Sequence, residues 1–298
     1  MSIATSLSWR GRILHQLTPA SPESSMPELP EVQTVVLTVR PGIRGRTVAA
    51  ARLLRDDILH PPGLRLDAEL AGRSIVDVTR RGKQILIAVD SGATLCTHLG
   101  MTGRLTLEPP SAPLRPHTHL VIDFCASTRP AVQLRFRDPR RFGGLWWLAA
   151  GQPPPGDLGP DALTVTPGQL ASALARTRRA IKTALLDQHL LAGLGNIYAD
   201  EALFLARIHP QRPANRLRTM QVRRLCDAIH RVLRQAIDSG GSSFRDYVDA
   251  NGKPGAFQSL HRVYAREGQK CARCGTVIRR IVLGGRSAHF CPRCQRTG

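Results

Sequence analysis

The feature that most limits the fold is a cysteine pattern near the end of the chain, "CARCGTVIRRIVLGGRSAHFCPRC". Two Cys-x2-Cys pairs, Cys271/Cys274 and Cys291/Cys294, are separated by sixteen residues. Four thiolates at that spacing can surround one Zn2+ as a tetrahedron, and four protein ligands leave no open position for catalysis. A redox role would need only one such pair. The expectation is one structural Zn2+ in a C-terminal zinc ribbon over residues 261–298. The ion would hold a β-hairpin whose tip, "GGRSAHF", offers Arg286 to a phosphate. Cys96, Cys125 and Cys226 are scattered, which suits a reducing compartment rather than a disulfide framework.

Upstream, the chain changes character once. From Thr34 to about Trp147 it reads as short β-branched or apolar runs broken by Gly, Asp and Pro, among them "QILIAVDSGATLCTHL", "HLVIDF" and "AVQLRFRD". That spacing predicts an antiparallel β-sandwich, preceded by a helix near residues 31–40 that Pro41-Gly42 stops. The stretch "AAGQPPPGDLGPD", residues 149–161, is a Pro-rich linker. After it, residues 169–208 read as helix, Gly-rich turn, helix. A further helix, "TMQVRRLCDAIHRVLRQAIDSGG", places Val222, Leu225, Ile229, Val232, Leu233 and Ile237 on one face. The expected architecture is α+β and multi-domain: a sandwich over 26–148, a linker over 149–161, a helical domain over 162–260 and the ribbon.

Charge narrows the partner. Forty-two Lys and Arg against twenty-two Asp and Glu give a net charge of +20, and the excess is +7 in residues 1–150 against +13 in 151–298. Such a surface favours a polyanion, nucleic acid first, with the second half as the stronger backbone grip. No apolar run is long enough to span a bilayer, which takes about 18–20 residues. The expectation is a cytoplasmic, monomeric protein with no membrane partner.

Particular residues then stand out. "LAGLGNIYADE" sets Asn196 at the start of a helix, where free N–H groups and the dipole suit a phosphate, or where an ordinary cap joins packed helices. Arg176, Arg178, Arg179 and Lys182 just upstream tilt this toward DNA. "THLGMTG" and "RDPRRFGG" offer Met101, Arg140, Arg141 and Phe142 on Gly-bounded loops. An apolar side chain beside arginines can wedge into a base stack while the charges hold phosphates; each loop alone is more often a turn with a buried Met or Phe. Lys83, in "RRGKQILIAV", is one of only four lysines and lies at the entrance to an apolar strand, either a functional ammonium or a solvated edge residue.

Taken in order, "PELPEVQT", "RRGK", "HLGMTG", "DPRRFG", "GLGNIYADE", "GGSSFRDY", "NGKPGAF" and the four cysteines resemble the bacterial formamidopyrimidine-DNA glycosylases, repair enzymes that excise oxidised purines. The resemblance runs from Met26 almost to the end. It implies a β-sandwich with flanking helices, a helix-two-turn-helix domain and a zinc ribbon, clamping damaged double-stranded DNA. It implies a bifunctional glycosylase and abasic-site lyase, with Pro27 as nucleophile forming a Schiff base and Glu28 as the adjacent acid. Lys83 would transfer protons in β-elimination, and Arg286 would assist δ-elimination. His117, Arg140, Arg178 and Asn196 would bind backbone, and Met101, Arg141 and Phe142 would fill the gap left by the everted nucleotide. Residues 240–257 would form a mobile cover over an everted purine.

The chain departs from the family pattern at Ala265 in "VYAR", at Lys270 before the first zinc cysteine, and at Ala256 in "GKPGAF". Two alternatives are carried. One is the sister class resembling endonuclease VIII, for oxidised pyrimidines, although its opening is typically Pro-Glu-Gly-Pro. The other is a non-catalytic binder of damaged DNA, which follows if residues 1–25 stay attached and leave the Pro27 nitrogen an amide. Those residues are Ser-rich and lack the apolar core of a secretory signal. They are expected to reflect a mis-assigned start or a removed extension.

Overall fold

The computed structural model describes residues 26–243 and 247–297. The expectations for residues 1–25, and for Phe244, Arg245 and Asp246 of "GGSSFRDY", lie outside the described residues.

The first helix, α1 (Leu29–Ile43), starts on a capping box in which the Glu28 backbone N–H donates to the Glu31 side chain. It runs past Pro41-Gly42, where the sequence predicted a stop. The helix survives because the Arg44 N–H still closes on Arg40 O at 3.0 Å, and because Gly42 lies against Leu107 where a Cβ would collide. Val32, Val35, Val36, Val39 and Ile43 enter the sandwich core, whereas Leu29 belongs to the core of the helical domain. One helix therefore spans both halves.

In chain order the sandwich contains β1 (Val48–Leu53), β2 (Leu59–His60), α2 (Leu66–Leu70), β3 (Ile75–Arg81), β4 (Gln84–Val89), β5 (Thr94–His98), β6 (Arg104–Glu108), β7 (Thr118–Phe124), β8 (Gln133–Arg137) and β9 (Gly144–Leu148). One sheet has the order β1-β7-β8-β6 and is antiparallel throughout. The other has the order β2-β9-β5-β4-β3; its short β2–β9 pair is parallel, a departure from the fully antiparallel expectation. Alternate residues such as Ile85, Ile87 and Leu95 meet Leu120, Ile122, Leu134 and Phe136 in the shared core.

The helical half holds α3 (Pro167–Ala175), α4 (Ile181–Leu185), α5 (Asn196–Ala206) and α6 (Thr219–Asp238). The single helix expected before the glycine turn is two, because the backbone between them is taken by residues 210–214. Ile181 N–H donates to Arg212 O, Lys182 N–H to Pro210 O, and Arg179 O accepts from Ala214 N–H. The expected face of α6 is buried, with Ile237 only partly so.

The ribbon is the antiparallel hairpin β10 (Arg279–Leu283) and β11 (Arg286–Phe290). Gly284 and Gly285 both have positive φ, 56° and 75°, the left-handed pair that a tight hairpin turn requires.

Candidate active site

The site lies where the start of α1 crosses the glycine turn before α5. Leu29 N–H donates to Gly193 O at 3.0 Å. This carries the Glu28 side chain, 2% exposed, onto the head of α5, where its carboxylate accepts the N–H groups of Ile197 (2.9 Å) and Tyr198 (3.4 Å). The helix N-cap is Gly195, and a Cβ there would overlap the Glu28 carboxyl. The acceptor at this helix head is thus the protein's own Glu28 carboxyl group, which corrects the expectation of a phosphate at those N–H groups. Burial pushes the Glu28 pKa up, against the pull of Lys83, the Ile197 N–H and Lys182. Pro27, immediately before it, is buried.

Lys83 follows the β3–β4 turn and is half-buried rather than fully solvated. Burial lowers its pKa; Glu28 opposes that shift, and Arg286 adds to it. The three side chains therefore share one electrostatic site. The turn is anchored from across the linker by Asp161, which takes two hydrogen bonds from Arg80 (2.7 and 2.9 Å) and one from Gly82 N–H (2.9 Å). Arg81 adds a hydrogen bond to Gly159 O at 2.7 Å.

Arg286 is exposed at the start of β11, and its neighbour Ser287 accepts a hydrogen bond from Asn196 Nδ2 at 3.2 Å. The hairpin is fixed to α5 by Asp200, which accepts the His289 N–H at 2.8 Å. Lys182 proves to be part of that joint. It is fully buried, with Nζ 2.6 Å from Asp200 Oδ1 and 2.7 Å from Asn196 O, so it does not face DNA with Arg176 and Arg178 as the sequence suggested. A buried ammonium needs such a partner. Arg178 is exposed, while Arg179 pairs with Asp187.

A second group forms on the sandwich around buried Asp138. Its carboxylate accepts the Thr102 hydroxyl (2.5 Å) and the Gly143 N–H (2.8 Å), joining the "HLGMTG" and "DPRRFGG" loops. Its own N–H donates to the carbonyl of exposed His117 at 3.1 Å. Phe142 is 52% exposed under the Arg140 guanidinium, 4.7 Å away, and Met101 is half-buried. Phe142 is therefore not the buried turn residue that the bland reading supposed. Arg141, at φ 55°, pairs with Asp57 at 2.9 Å.

The four cysteine sulfurs lie within 4.8 Å of one another. Thiolates about 2.3 Å from one tetrahedral ion sit about 3.8 Å apart, so Cys271, Cys274, Cys291 and Cys294 fit a structural zinc.

With this geometry in view, three family models match in order: the formamidopyrimidine-DNA glycosylase N-terminal domain over residues 26–145, its H2TH domain over 158–248, and a zinc finger found in FPG and IleRS over 268–297. A formamidopyrimidine-DNA glycosylase from Solibacter usitatus is 45% identical over 273 residues, covering 91% of this chain and all of that protein. The chain belongs to the formamidopyrimidine-DNA glycosylase family. Solved relatives agree in fold. A Lactococcus lactis FPG variant in complex with Fapy-dG DNA superposes with a TM-score of 0.83 at 35% identity, covering 91% of this chain and all of that one. MutM in complex with DNA containing carbocyclic 8-oxo-G gives 0.81 at 36%, covering 91% and 100%.

Several residues of this glycosylase site were not singled out from sequence. Glu31 carried a signal, since a carboxylate three residues after Glu28 is a capping-box spacing. Asp138 and Asp200 lie inside quoted motifs, but their roles, like that of Asp161, were hidden because each binds residues distant in the chain: Thr102, Lys182 and His289, and Arg80.

Proposed function

We propose that the protein removes oxidised purines from double-stranded DNA and then cleaves the abasic strand, with Pro27 as nucleophile. The observation that carries this reading is the buried Glu28 side chain next to Pro27, with the charge of Lys83 acting on it and the charge of Arg286 acting on Lys83. The Pro27 nitrogen bonds to C1′ of the lesion nucleotide as the bond from C1′ to the base breaks, the base leaving with the bonding pair and taking the proton that the amine gives up. Glu28, its pKa raised by burial, gives a proton to the ring oxygen as the sugar opens to an iminium. Lys83, its pKa lowered by burial, relays the proton lost from C2′ while the 3′ phosphate departs. Arg286 steadies the 5′ phosphate for the second elimination.

His117, Arg140, Arg178 and Asn196 grip the backbone, and Met101, Arg141 and Phe142 occupy the space of the everted nucleotide. Asn196 Oδ1 is buried without a hydrogen-bond partner among the described residues. Zn2+ held by Cys271, Cys274, Cys291 and Cys294 stiffens the hairpin that presents Arg286. The units are a sandwich over 26–148, a linker over 149–161, a helical domain over 162–260 and a ribbon over 261–298, acting as a monomer in the cytoplasm.

A free Pro27 nitrogen requires that residues 1–26 be absent from the active form. A duplex with 8-oxoguanine opposite cytosine, incubated with protein beginning at Pro27, should lose the base and be nicked. Base loss confined to oxidised pyrimidines would favour the endonuclease VIII-like alternative instead.

A further inference from the structure

Arg135 takes no part in the chemistry above. It lies on the face of β8 turned away from the core, since its neighbours Leu134 and Phe136 enter the core. An arginine on such a face is ordinarily solvated, yet this side chain is only 3% exposed. What covers it is the loop between β6 and β7. That loop, "PPSAPLRP" over residues 109–116, contains four prolines and so has few N–H groups with which to satisfy its own carbonyls. The Arg135 guanidinium supplies the donors: Nη1 to Pro113 O at 3.1 Å, and Nη2 to Ala112 O at 2.8 Å and Pro109 O at 3.4 Å. Glu108 Oε2, at 3.0 Å, matches its charge, and Gln133 Oε1 accepts its Nε–H at 2.9 Å.

The far end of the loop is held in the same way. Arg137, two residues along β8, donates from Nε to Pro116 O at 2.8 Å, and the Thr118 hydroxyl donates to Arg115 O at 2.8 Å. With these carbonyls taken, the side chains of Leu114, Arg115 and His117 stand exposed. His117 has φ 67°, a left-handed conformation that a residue with a Cβ keeps only where its surroundings fix it. Nothing between Glu108 and Thr118 is helix or strand, so the aim of His117 is set by the bonds that tie the loop to β8.

We propose that Arg135 is a positioning residue for DNA binding: by drawing the carbonyls of the β6–β7 loop onto one buried guanidinium, it fixes the direction from which His117 meets a phosphate of the duplex. This rests on the backbone grip assigned to His117 above. Arginine suits the task because its planar fork presents five N–H donors in fixed directions, enough for a carboxylate, an amide oxygen and several carbonyls together. A lysine would keep the charge opposite Glu108 and release most of the loop. The loop would then sample other conformations, and His117 would spend less time where a phosphate can use it.

The test is a double-mutant cycle with His117→Ala, read as the Kd for a duplex carrying a tetrahydrofuran analogue of an abasic site, using protein that begins at Pro27. Arg135→Lys should weaken binding about five- to tenfold, and in the His117→Ala background the same substitution should change Kd by less than about twofold. Single-turnover excision of 8-oxoguanine by Arg135→Lys at saturating protein should stay within about twofold of the wild type, because the reactive groups are untouched. Glu108→Gln, which removes the counter-charge and leaves the guanidinium, should show the same dependence on His117 in smaller measure and covers the case in which the Lys variant fails to fold. Equal loss in both backgrounds, no loss in either, or a matching fall in the saturating excision rate overturns the inference alone. A wild-type protein that binds the analogue no better than an undamaged duplex overturns the glycosylase reading and the inference with it.

Discussion

Two of the seams between the sandwich and the helical half are built on carboxylates. At the first, Glu28 and Glu31 lie buried against α5, without an ion-paired cation among the described residues, and accept mainly N–H groups and a hydroxyl. At the second, Asp161 takes a two-pronged hydrogen bond from Arg80. The consequence is opposite proton affinities. Burial dominates at Glu28 and Glu31 and raises both. Burial also works to raise Asp161, but the Arg80 hydrogen bonds and charge and the Gly82 N–H outweigh it, and its pKa falls. A carboxyl whose pKa is raised by burial gains in its capacity to hold and deliver a proton, whereas one locked to a guanidinium holds geometry.

The comparison breaks most visibly at Glu28. Glu28→Gln keeps the N–H contacts of one oxygen but removes the acid, and base excision should drop by about 10²-fold or more in single-turnover assays. An unchanged rate would place the acid elsewhere.

The second seam should respond in stability first. Arg80 and Asp161 side chains are only 6% and 12% exposed. Asp161→Asn leaves the guanidinium without its counter-charge and should cost about 3 kcal/mol, read as a fall of roughly 6–12 °C in the thermal midpoint. Strand nicking should fall with it, as the turn before Lys83 loosens.

A pH series of unfolding free energies sharpens the contrast. Glu31 has a folded pKa of about 7, raised from 4.5. Below the unfolded value both states hold the proton, so the group costs nothing; as pH rises from about 4.5 to 7, the unfolded state releases it first and stability declines. Glu31→Gln should flatten the curve in that window. Asp161→Asn should instead remove stability that is present above about pH 4 and leave that window unchanged.

The smallest effect lies outside both seams. Ala265 sits at φ 55°, a left-handed conformation that costs a residue with a Cβ about 1 kcal/mol. Ala265→Gly should raise stability by about that amount in denaturant titrations and leave both activities alone.

Much of this was legible in the chain because it is local. Periodicity located α6, "DSG" located the β4–β5 hairpin, and two Cys-x2-Cys pairs located the ribbon. The departure at Ala265 was visible as a residue and became meaningful only with its backbone angle. What the chain hid was long-range. Lys182 reads like its arginine neighbours until Asp200, eighteen residues later, is seen to bury it. The head of α5 reads as a phosphate site until Glu28, from the other end of the protein, is found there.

The central claim is that Pro27 is the nucleophile and works only with a free nitrogen. Borohydride reduction during reaction with abasic duplex DNA tests it, comparing protein that begins at Pro27 with the 298-residue chain under identical conditions. The account predicts a covalent protein–DNA adduct for the Pro27 form, with the crosslink mapped to Pro27, and none for the longer chain. An adduct of equal yield from both forms, or none from the Pro27 form, would contradict it.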